Sequence, residues 1–157
     1  MDLPPSSPSS PTSSEKKAFE NPTGWPRRPL KTGTTIGATN DGSASCGQAG
    51  SGPDVWFRYR ADSTCLLQVD TCDSSLDTVL SLHTECAGTT LNELDCNDES
   101  CVHASRVEVN LQPGNEVLIR LGGWNGTSGD YILRINCGVP ATPGADAYVG
   151  ELNDVRQ

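Results

Sequence analysis

The sequence predicts an all-β fold, an antiparallel β-sandwich of the jelly-roll type with about eight strands. Short stretches in which apolar and polar residues alternate recur at similar intervals along the chain, as they do in half-buried strands. Turn-forming residues, including 16 glycines, separate these stretches. No stretch shows the apolar period of an amphipathic helix. Many short strands joined by turns are typical of sandwiches and jelly rolls.

The alternating stretches give the strands in chain order. A β-branched stretch at residues 34–39 comes first and is expected at a sheet edge. In the third stretch, Cys65, Leu67 and Val69 share one face, which we expect to point inward. The last two stretches alternate most clearly and are predicted to form a hairpin. The predicted strands are 34–39, 54–60, 65–72, 78–84, 91–96, 104–111, 116–121 and 130–137.

Composition divides the chain into three parts. Residues 1–32 are rich in serine and proline and lack the apolar side chains that offset chain entropy, so they are predicted to be a disordered leader. Residues 33–138 hold the predicted sandwich. Residues 139–157 are interpreted as a linker and the start of a truncated following segment.

The charge distribution argues against polyanionic partners. Residues 32–157 contain six basic and 17 acidic residues, which gives a formal charge of −11. Such a surface repels phosphate backbones and anionic lipids. No apolar stretch is long enough to cross a bilayer. We therefore expect neither nucleic-acid binding nor membrane insertion.

Seven cysteines in a small β-rich chain indicate an oxidising compartment. We expect an extracellular or cell-surface location, although no signal peptide is visible in the first 30 residues. Cys86 and Cys96 flank a single predicted turn, which places them within disulfide reach of each other. The predicted pairs, in order of preference, are Cys86–Cys96, Cys72–Cys101 and Cys46–Cys137, which leaves Cys65 as a buried free thiol.

Three motifs together resemble a known family. They are C-x-x-x-x-D-T-x-L at residues 72–80, C-N-D-x-x-C at 96–101 and R-L-G-G-W-N-G-x-x-G-D-Y at 120–131. The set resembles the pre-peptidase C-terminal-like (PPC-like) β-sandwich domains of bacterial secreted and cell-surface proteins, over residues 33–138. The resemblance implies a non-catalytic module, appended to secreted hydrolases or repeated in surface proteins. Relatives in collagenases bind collagen, with calcium supporting their fold. The family positions that match are Asp77, Asn97 and Asp98.

Two acidic loops suggest a metal site. Carboxylate and amide oxygens are the ligands that calcium prefers, so several side chains in these loops are candidates. The alternative is that Asp77 and Asp98 only cap turns and accept backbone hydrogen bonds. A zinc site formed by Cys86, Cys96, Cys101 and His103 is a further alternative. The candidate calcium ligands are Asp77, Asp95, Asn97, Asp98 and Glu99.

Trp124 is the candidate for ligand contact. It lies in a Gly-rich connection, where an exposed indole stacks on a sugar face or on a partner's apolar surface, with Asn125 beside it. The alternative is a ring that folds back over the end of the sandwich and gains by burial.

The sequence contains no recognisable catalytic constellation, because no nucleophile has an evident base and orienting group. We therefore expect a non-catalytic extracellular module for binding, spacing or assembly, whose partner is an extracellular protein or a glycan surface. Two alternatives stay open. One is a lectin-like carbohydrate-binding module with a calcium-ordered loop. The other is a structural repeat unit that self-associates through an exposed sheet edge.

Overall fold

The computed structural model describes residues 30–48 and 50–138. These residues form two antiparallel sheets of four strands each, so the predicted all-β sandwich is confirmed. The predicted leader up to residue 29 and the predicted linker and truncated segment from residue 139 lie outside the described residues. The strands are β1 (Leu30–Thr34), β2 (Asp54–Arg60), β3 (Cys65–Asp70), β4 (Thr78–His83), β5 (Glu93–Asn97), β6 (Arg106–Leu111), β7 (Glu116–Gly123) and β8 (Asp130–Gly138).

The strand order is that of a jelly roll. The first sheet has the order β1-β8-β3-β6 and the second sheet has the order β2-β7-β4-β5. Successive strands pass from one sheet to the other, except that β4 and β5 form a hairpin within the second sheet. The predicted hairpin of β7 and β8 is therefore wrong. Both strands face one core from opposite sides, and their alternation pattern is the same in either arrangement.

The core lies between the two sheets and is formed by alternate residues of the central strands. The inward face predicted for the third strand is confirmed, because Leu67 and Val69 are completely buried and Cys65 nearly so. Leucine, isoleucine and valine side chains interdigitate across the interface, as expected for sheets packed face to face. The completely buried aliphatic residues of the cluster are Leu67, Val69, Leu80, Leu82, Val107, Ile119, Leu121 and Leu133.

The first strand is displaced from its predicted position. β1 begins at Leu30, three residues before the predicted start of the domain, and ends at Thr34. The chain turns there because the Thr34 hydroxyl accepts a hydrogen bond from the N–H of Ile36, and Gly37 has a left-handed φ of 83°. The edge strand predicted at residues 34–39 is therefore wrong, because only Thr34 of that stretch lies in a strand, and the sheet edge is formed by β1. The other seven strands agree with their predicted bounds to within two residues.

The long connection between β1 and β2, residues 35–53, covers part of the outer face of the second sheet. A disulfide joins Cys46 to Cys96 of β5, and the N–H of Ser43 donates to the carbonyl of Gly88 at 2.9 Å. All six residues of β4 are consequently buried, including those that face away from the core. Among the residues that the structure describes, no helix is long and apolar enough to cross a membrane.

Candidate functional site

One end of the sandwich gathers the connections that precede β2, β4, β6 and β8. The N–H of Trp124 donates to the carbonyl of Asp77 at 2.9 Å, which joins the β7–β8 connection to the β3–β4 connection. The N–H of Asn125 donates to the carbonyl of Gly47 at 3.2 Å, which adds the β1–β2 connection. We call this region the loop end. It comprises the connections 35–53, 71–77, 98–105 and 124–129.

Trp124 begins a single turn of 3-10 helix, Trp124–Gly126, at the loop end. The N–H and the hydroxyl of Thr127 both donate to the carbonyl of Trp124, at 3.1 and 2.9 Å. Asn125 and Gly126 have φ angles of 50° and 76°, a left-handed conformation that asparagine and glycine tolerate best. Trp124 is 41% exposed, and Asn125 is also exposed. The two predicted contact residues therefore lie together on the surface.

Asp77 connects the Trp124 turn to an ionisable neighbour. Its carboxylate Oδ2 lies 4.0 Å from Nδ1 of His103, and the two side chains are 38% and 72% exposed. The N–H of Thr78 donates to the carbonyl of His103 at 3.0 Å, which fixes the β5–β6 connection beside the same loop. The loop end thus presents an indole, an amide, a carboxylate and an imidazole on a backbone held by hydrogen bonds.

Two of the predicted calcium ligands, Asp95 and Asn97, bind backbone amides instead. They lie on the edge strand β5, and their side chains reach the edge strand β6 of the other sheet. Oδ2 of Asp95 accepts the N–H of Glu108 at 2.8 Å, and Oδ1 of Asn97 accepts the N–H of Arg106 at 3.1 Å. Side-chain bonds to backbone amides were the alternative for Asp77 and Asp98, whereas the structure shows such bonds at Asp95 and Asn97.

The remaining predicted ligands do not complete a metal cluster with Asp95. Asp77 faces His103 at the loop end, Asp98 is half-buried, and Glu99 is exposed. Within residues 30–48 and 50–138, no three His, Cys, Asp or Glu side chains are grouped closely enough to hold a metal ion. Calcium binding by these residues stays a prediction.

The disulfides differ from two of the three predicted pairs. Cys72–Cys101 is present as predicted, whereas the predicted Cys86–Cys96 and Cys46–Cys137 pairs are wrong. The exposed free thiol belongs to Cys86 and not to Cys65. The proposed zinc ligands Cys96 and Cys101 are both oxidised, so the zinc hypothesis is also wrong for this state. The observed pairs are Cys46–Cys96, Cys65–Cys137 and Cys72–Cys101, with Cα–Cα distances of 6.0, 5.4 and 5.8 Å.

The topology explains the observed pairing. β3 and β8 are neighbours, with Leu67 opposite Cys137, so Cys65 and Cys137 are diagonal neighbours on the inward face. Cys96 lies on β5, where the β1–β2 connection crosses the sheet, whereas Cys86 lies in the β4–β5 connection. Distance along the sequence favoured Cys86 as the partner of Cys96, but the crossing connection brings Cys46 closer.

A buried ion pair lies beneath the β1–β2 connection. Nε of Arg120 donates to Oδ2 of Asp54 at 2.7 Å, and the two side chains are 1% and 0% exposed. The other carboxylate oxygen accepts the indole N–H of Trp56 at 3.0 Å, and the backbone N–H of Asp41 donates to the same group at 3.2 Å. Asp54 therefore holds the connection, β2 and β7 together. No local pattern indicates this pair, because Asp54 and Arg120 lie 66 residues apart.

A second buried polar group resembles a nucleophilic triad in its hydrogen bonds. Oδ1 of Asn92 accepts the N–H of Thr89 at 2.9 Å and faces Nδ1 of His83 at 3.0 Å, so Nδ1 carries the proton. Nε2 then accepts the hydroxyl proton of Ser81 at 2.8 Å. Ser81 and His83 are completely buried, and Gly88 packs on the imidazole so closely that an added Cβ would lie 2.8 Å from Nε2. We assign this group a structural role, which is to fasten the β4–β5 connection to β4.

An open cleft of about 500 Å³ lies beside the loop end, along β1 and β8. The hydroxyl of Ser75 and the N–H of Leu76 both donate to the carbonyl of Asp130, at 3.1 Å each, which forms one wall. Asp73 has a left-handed φ of 70° and its carboxylate binds Arg134 at 2.7 Å. Sequence analysis missed this cleft because three separate segments contribute to it. Its lining residues include Thr32, Thr34, Asp73, Ser75, Asp130 and Ile132.

No protein-family model matches this chain, and a search of curated proteins finds no match either. The resemblance to PPC-like domains therefore rests on the sequence motifs quoted above.

Proposed function

We propose that this chain is a non-catalytic extracellular binding module that uses its loop end as the recognition surface. The observation that carries this proposal is the position of Trp124, which is 41% exposed in a turn fixed by its own hydrogen bonds and by hydrogen bonds to two other parts of the loop end. A large aromatic side chain on a pre-formed surface gives contact area at low entropic cost. The same feature would serve a PPC-like module of a secreted or cell-surface protein.

The three disulfides support the extracellular part of the proposal. Disulfides persist in oxidising compartments and are rare in reducing ones. Two of them hold connections of the loop end, because Cys46 lies in the 35–53 connection and Cys72 and Cys101 lie in the 71–77 and 98–105 connections. A surface stabilised in this way retains its shape in the absence of a ligand, which favours recognition by complementarity.

The chemistry of the loop end favours a glycan surface over a purely apolar protein partner. The indole of Trp124 offers a face for stacking on a sugar ring, and the side chains of Asn125 and Asp77 offer hydrogen-bonding groups nearby. The cleft on the other side of the 71–77 connection adds hydroxyl groups from Thr32 and Ser75. We therefore propose carbohydrate as the first ligand class and an extracellular protein as the second.

An array of defined oligosaccharides, probed with the oxidised protein, tests this proposal. We expect binding to at least one glycan class, and a loss of about tenfold or more for Trp124→Ala because a stacked aromatic face is removed. Asn125→Gly keeps the left-handed backbone and removes only the amide, so it should weaken binding less.

Leu91→Ala is the matched control, because Leu91 is a 96% exposed apolar residue in the β4–β5 connection. It should bind glycans as the unaltered protein does, and all variants should remain folded at the temperature of the assay. Absence of glycan binding by the unaltered protein, or full binding by Trp124→Ala, would contradict the proposal.

A further inference from the structure

Each flank of the sandwich is formed by one edge strand from each sheet, β5 and β6 on one flank and β1 and β2 on the other. The edge strands of the two flanks are protected differently. On one flank, the side chains of Asp95 and Asn97 on β5 bind the outer backbone amides of β6. On the other flank, the described part of β1 has five residues, which pair with β8 from Asp130 to Arg134. Within the described residues, β2 has a strand neighbour on one side only, which is β7. Among the described residues, the outer edge of β2 is therefore open, and we call this side of the sandwich the open flank.

The backbone of β2 presents hydrogen-bonding groups to this open flank. The N–H of Asp54 points away from β7, because it donates to the carbonyl of Thr39 at 3.0 Å. Successive residues of a strand alternate in the direction of their N–H and C=O groups. Residues 56, 58 and 60 therefore point outward as Asp54 does, and no backbone hydrogen bond of these outward groups occurs among the residues that the structure describes.

The side chains on this flank alternate in chemistry. Val55, Phe57 and Tyr59 face the core but are only partly buried, because β2 is an edge strand. Arg58 and Arg60 lie on the opposite face and are exposed. Arg58 lies 3.3 Å from Glu116 of β7, whereas Arg60 forms no ion pair within the described part of the chain. An acidic protein thus carries two exposed cations, two residues apart, on its open edge strand.

We propose that β2 binds an extended acidic segment of a partner protein as an additional antiparallel strand. The outward backbone groups of residues 56, 58 and 60 would supply ladder hydrogen bonds. Acidic side chains opposite Arg58 and Arg60, with an apolar residue between them, would match the charge of one face and the apolar character of the other. This surface is separate from the loop end, so the inference goes beyond the proposed function.

A second copy of this chain fits the edge less well than an acidic segment does. In the antiparallel register that uses residues 56, 58 and 60 of both copies, Arg58 lies opposite Arg58 of the second copy. Like charges directly opposite each other destabilise a strand pair. The register that would place Arg60 opposite Asp54 is closed, because the carbonyl of Thr39 already binds the Asp54 N–H. Charge complementarity therefore favours the acidic partner.

Fluorescence anisotropy with a labelled peptide, Gly-Val-Glu-Val-Glu-Val-Gly, tests the proposal. We expect saturable binding of this peptide. The peptide with lysine in place of both glutamates should bind about tenfold more weakly, or not at all. Arg60→Glu should weaken binding of the acidic peptide by a similar factor. Arg106→Glu, on the closed flank, is the matched control and should leave binding unchanged, as should Trp124→Ala at the loop end.

Two N-methylated peptides separate strand addition from simple charge attraction. In an antiparallel pair, the glutamate N–H groups face β2 and the valine N–H groups face solvent. Methylation of the glutamate nitrogens should reduce affinity about tenfold or more, whereas methylation of the valine nitrogens should not. Equal binding of the two methylated peptides, absence of binding, or no effect of Arg60→Glu would overturn the proposal. Sedimentation that shows self-association blocked by the peptide would overturn it in favour of a second copy.

Discussion

The carboxylate of Asp95 accepts a hydrogen bond from the backbone N–H of Glu108 at 2.8 Å, and this contact joins the edge strands of the two sheets. Two residues further along β5, Asn97 accepts the N–H of Arg106 in the same way. Alternate side chains of one edge thus bind alternate amides of the other. Exposed sheet edges promote unwanted pairing, so this arrangement protects β6 from other chains. On the opposite flank, β2 pairs with a strand on one side only among the residues that the structure describes.

Removing the Asp95 carboxylate should destabilise the fold. A hydrogen bond to a charged group contributes about 1.5–3 kcal/mol, and Asp95 is only half-buried, so Asp95→Ala should lower the free energy of unfolding by about 1–3 kcal/mol. Asp95→Asn retains an acceptor and should lose less. Urea denaturation of the three proteins measures both values. Equal losses for the two variants would show that the hydrogen bond to Glu108 is not the stabilising contact.

Calcium should leave the thermal midpoint of the oxidised protein unchanged. Side-chain oxygens of Asp95 and Asn97 already bind backbone amides, and Asp77 lies at the loop end beside His103. A ligand that binds only the folded state stabilises it by RT ln(1 + L/Kd), where L is the free ligand concentration, so the midpoint rises once that concentration exceeds the dissociation constant. Scanning calorimetry in millimolar calcium and in chelator makes the comparison. A calcium-dependent rise that Asp77→Asn abolishes would instead support the sequence-based calcium site.

Breaking the Asp54–Arg120 ion pair should lower the free energy of unfolding substantially. Both side chains are buried, so Asp54→Ala leaves a buried guanidinium without this carboxylate and should lower the free energy of unfolding by about 3–5 kcal/mol. Arg58→Ala, which breaks the exposed contact with Glu116, is the control and should cost about 1 kcal/mol or less. Similar losses for both variants in denaturant titrations would mean that burial of the pair has little energetic weight.

The sequence was sufficient for the architecture because the relevant signals are local. Alternation of apolar and polar residues placed seven strands to within two residues, and it identified the inward face of β3. It failed where two arrangements share one local pattern. β7 and β8 alternate alike whether they form a hairpin or face each other across the core, and only the full topology separates these cases.

The candidate site was predictable only in part, because sequence patterns are local whereas most of its contacts join distant segments. Trp124 was identified because a large aromatic residue in a Gly-rich connection stands out locally. The Asp54–Arg120 pair, the cleft along β1 and β8, and the Cys46–Cys96 disulfide each join segments far apart in sequence. Asp95 and Asn97 were noticed as oxygen ligands, but their partners are amides of another strand, which no local pattern indicates.

The disulfide pattern can be checked directly by mass spectrometry. Proteolysis without reduction should yield peptides linked through Cys46–Cys96, Cys65–Cys137 and Cys72–Cys101. An alkylating reagent should label Cys86 in the native protein, since that thiol is exposed and unpaired in the described structure. Cys86→Ser should abolish labelling and retain all three linked peptides. A Cys86–Cys96 peptide from freshly purified protein would contradict the structure and restore the sequence-based pairing.

Ionisation of Tyr59 should lower the free energy of unfolding at alkaline pH. Burial, and secondly the negative charge of Asp62, raise the pKa of Tyr59 above its ordinary value of 10.0. Burial likewise raises the pKa of Tyr131. Above about pH 10 the unfolded chain therefore loses these protons more readily than the folded chain does. The stabilisation is complete below pH 10 and is lost as the pH rises from there through the folded-state pKa.

Urea denaturation between pH 8 and pH 11 measures this effect, in a Cys86→Ser background that prevents thiol exchange at high pH. We expect the free energy of unfolding to fall less steeply above about pH 10 in Tyr59→Phe than in the parent, because one proton-linked group is removed. Asp62→Asn should give an intermediate slope, since it removes only the secondary cause of the shift. An unchanged slope in Tyr59→Phe would assign the alkaline loss to other groups and would show that the phenol of Tyr59 ionises equally well in both states.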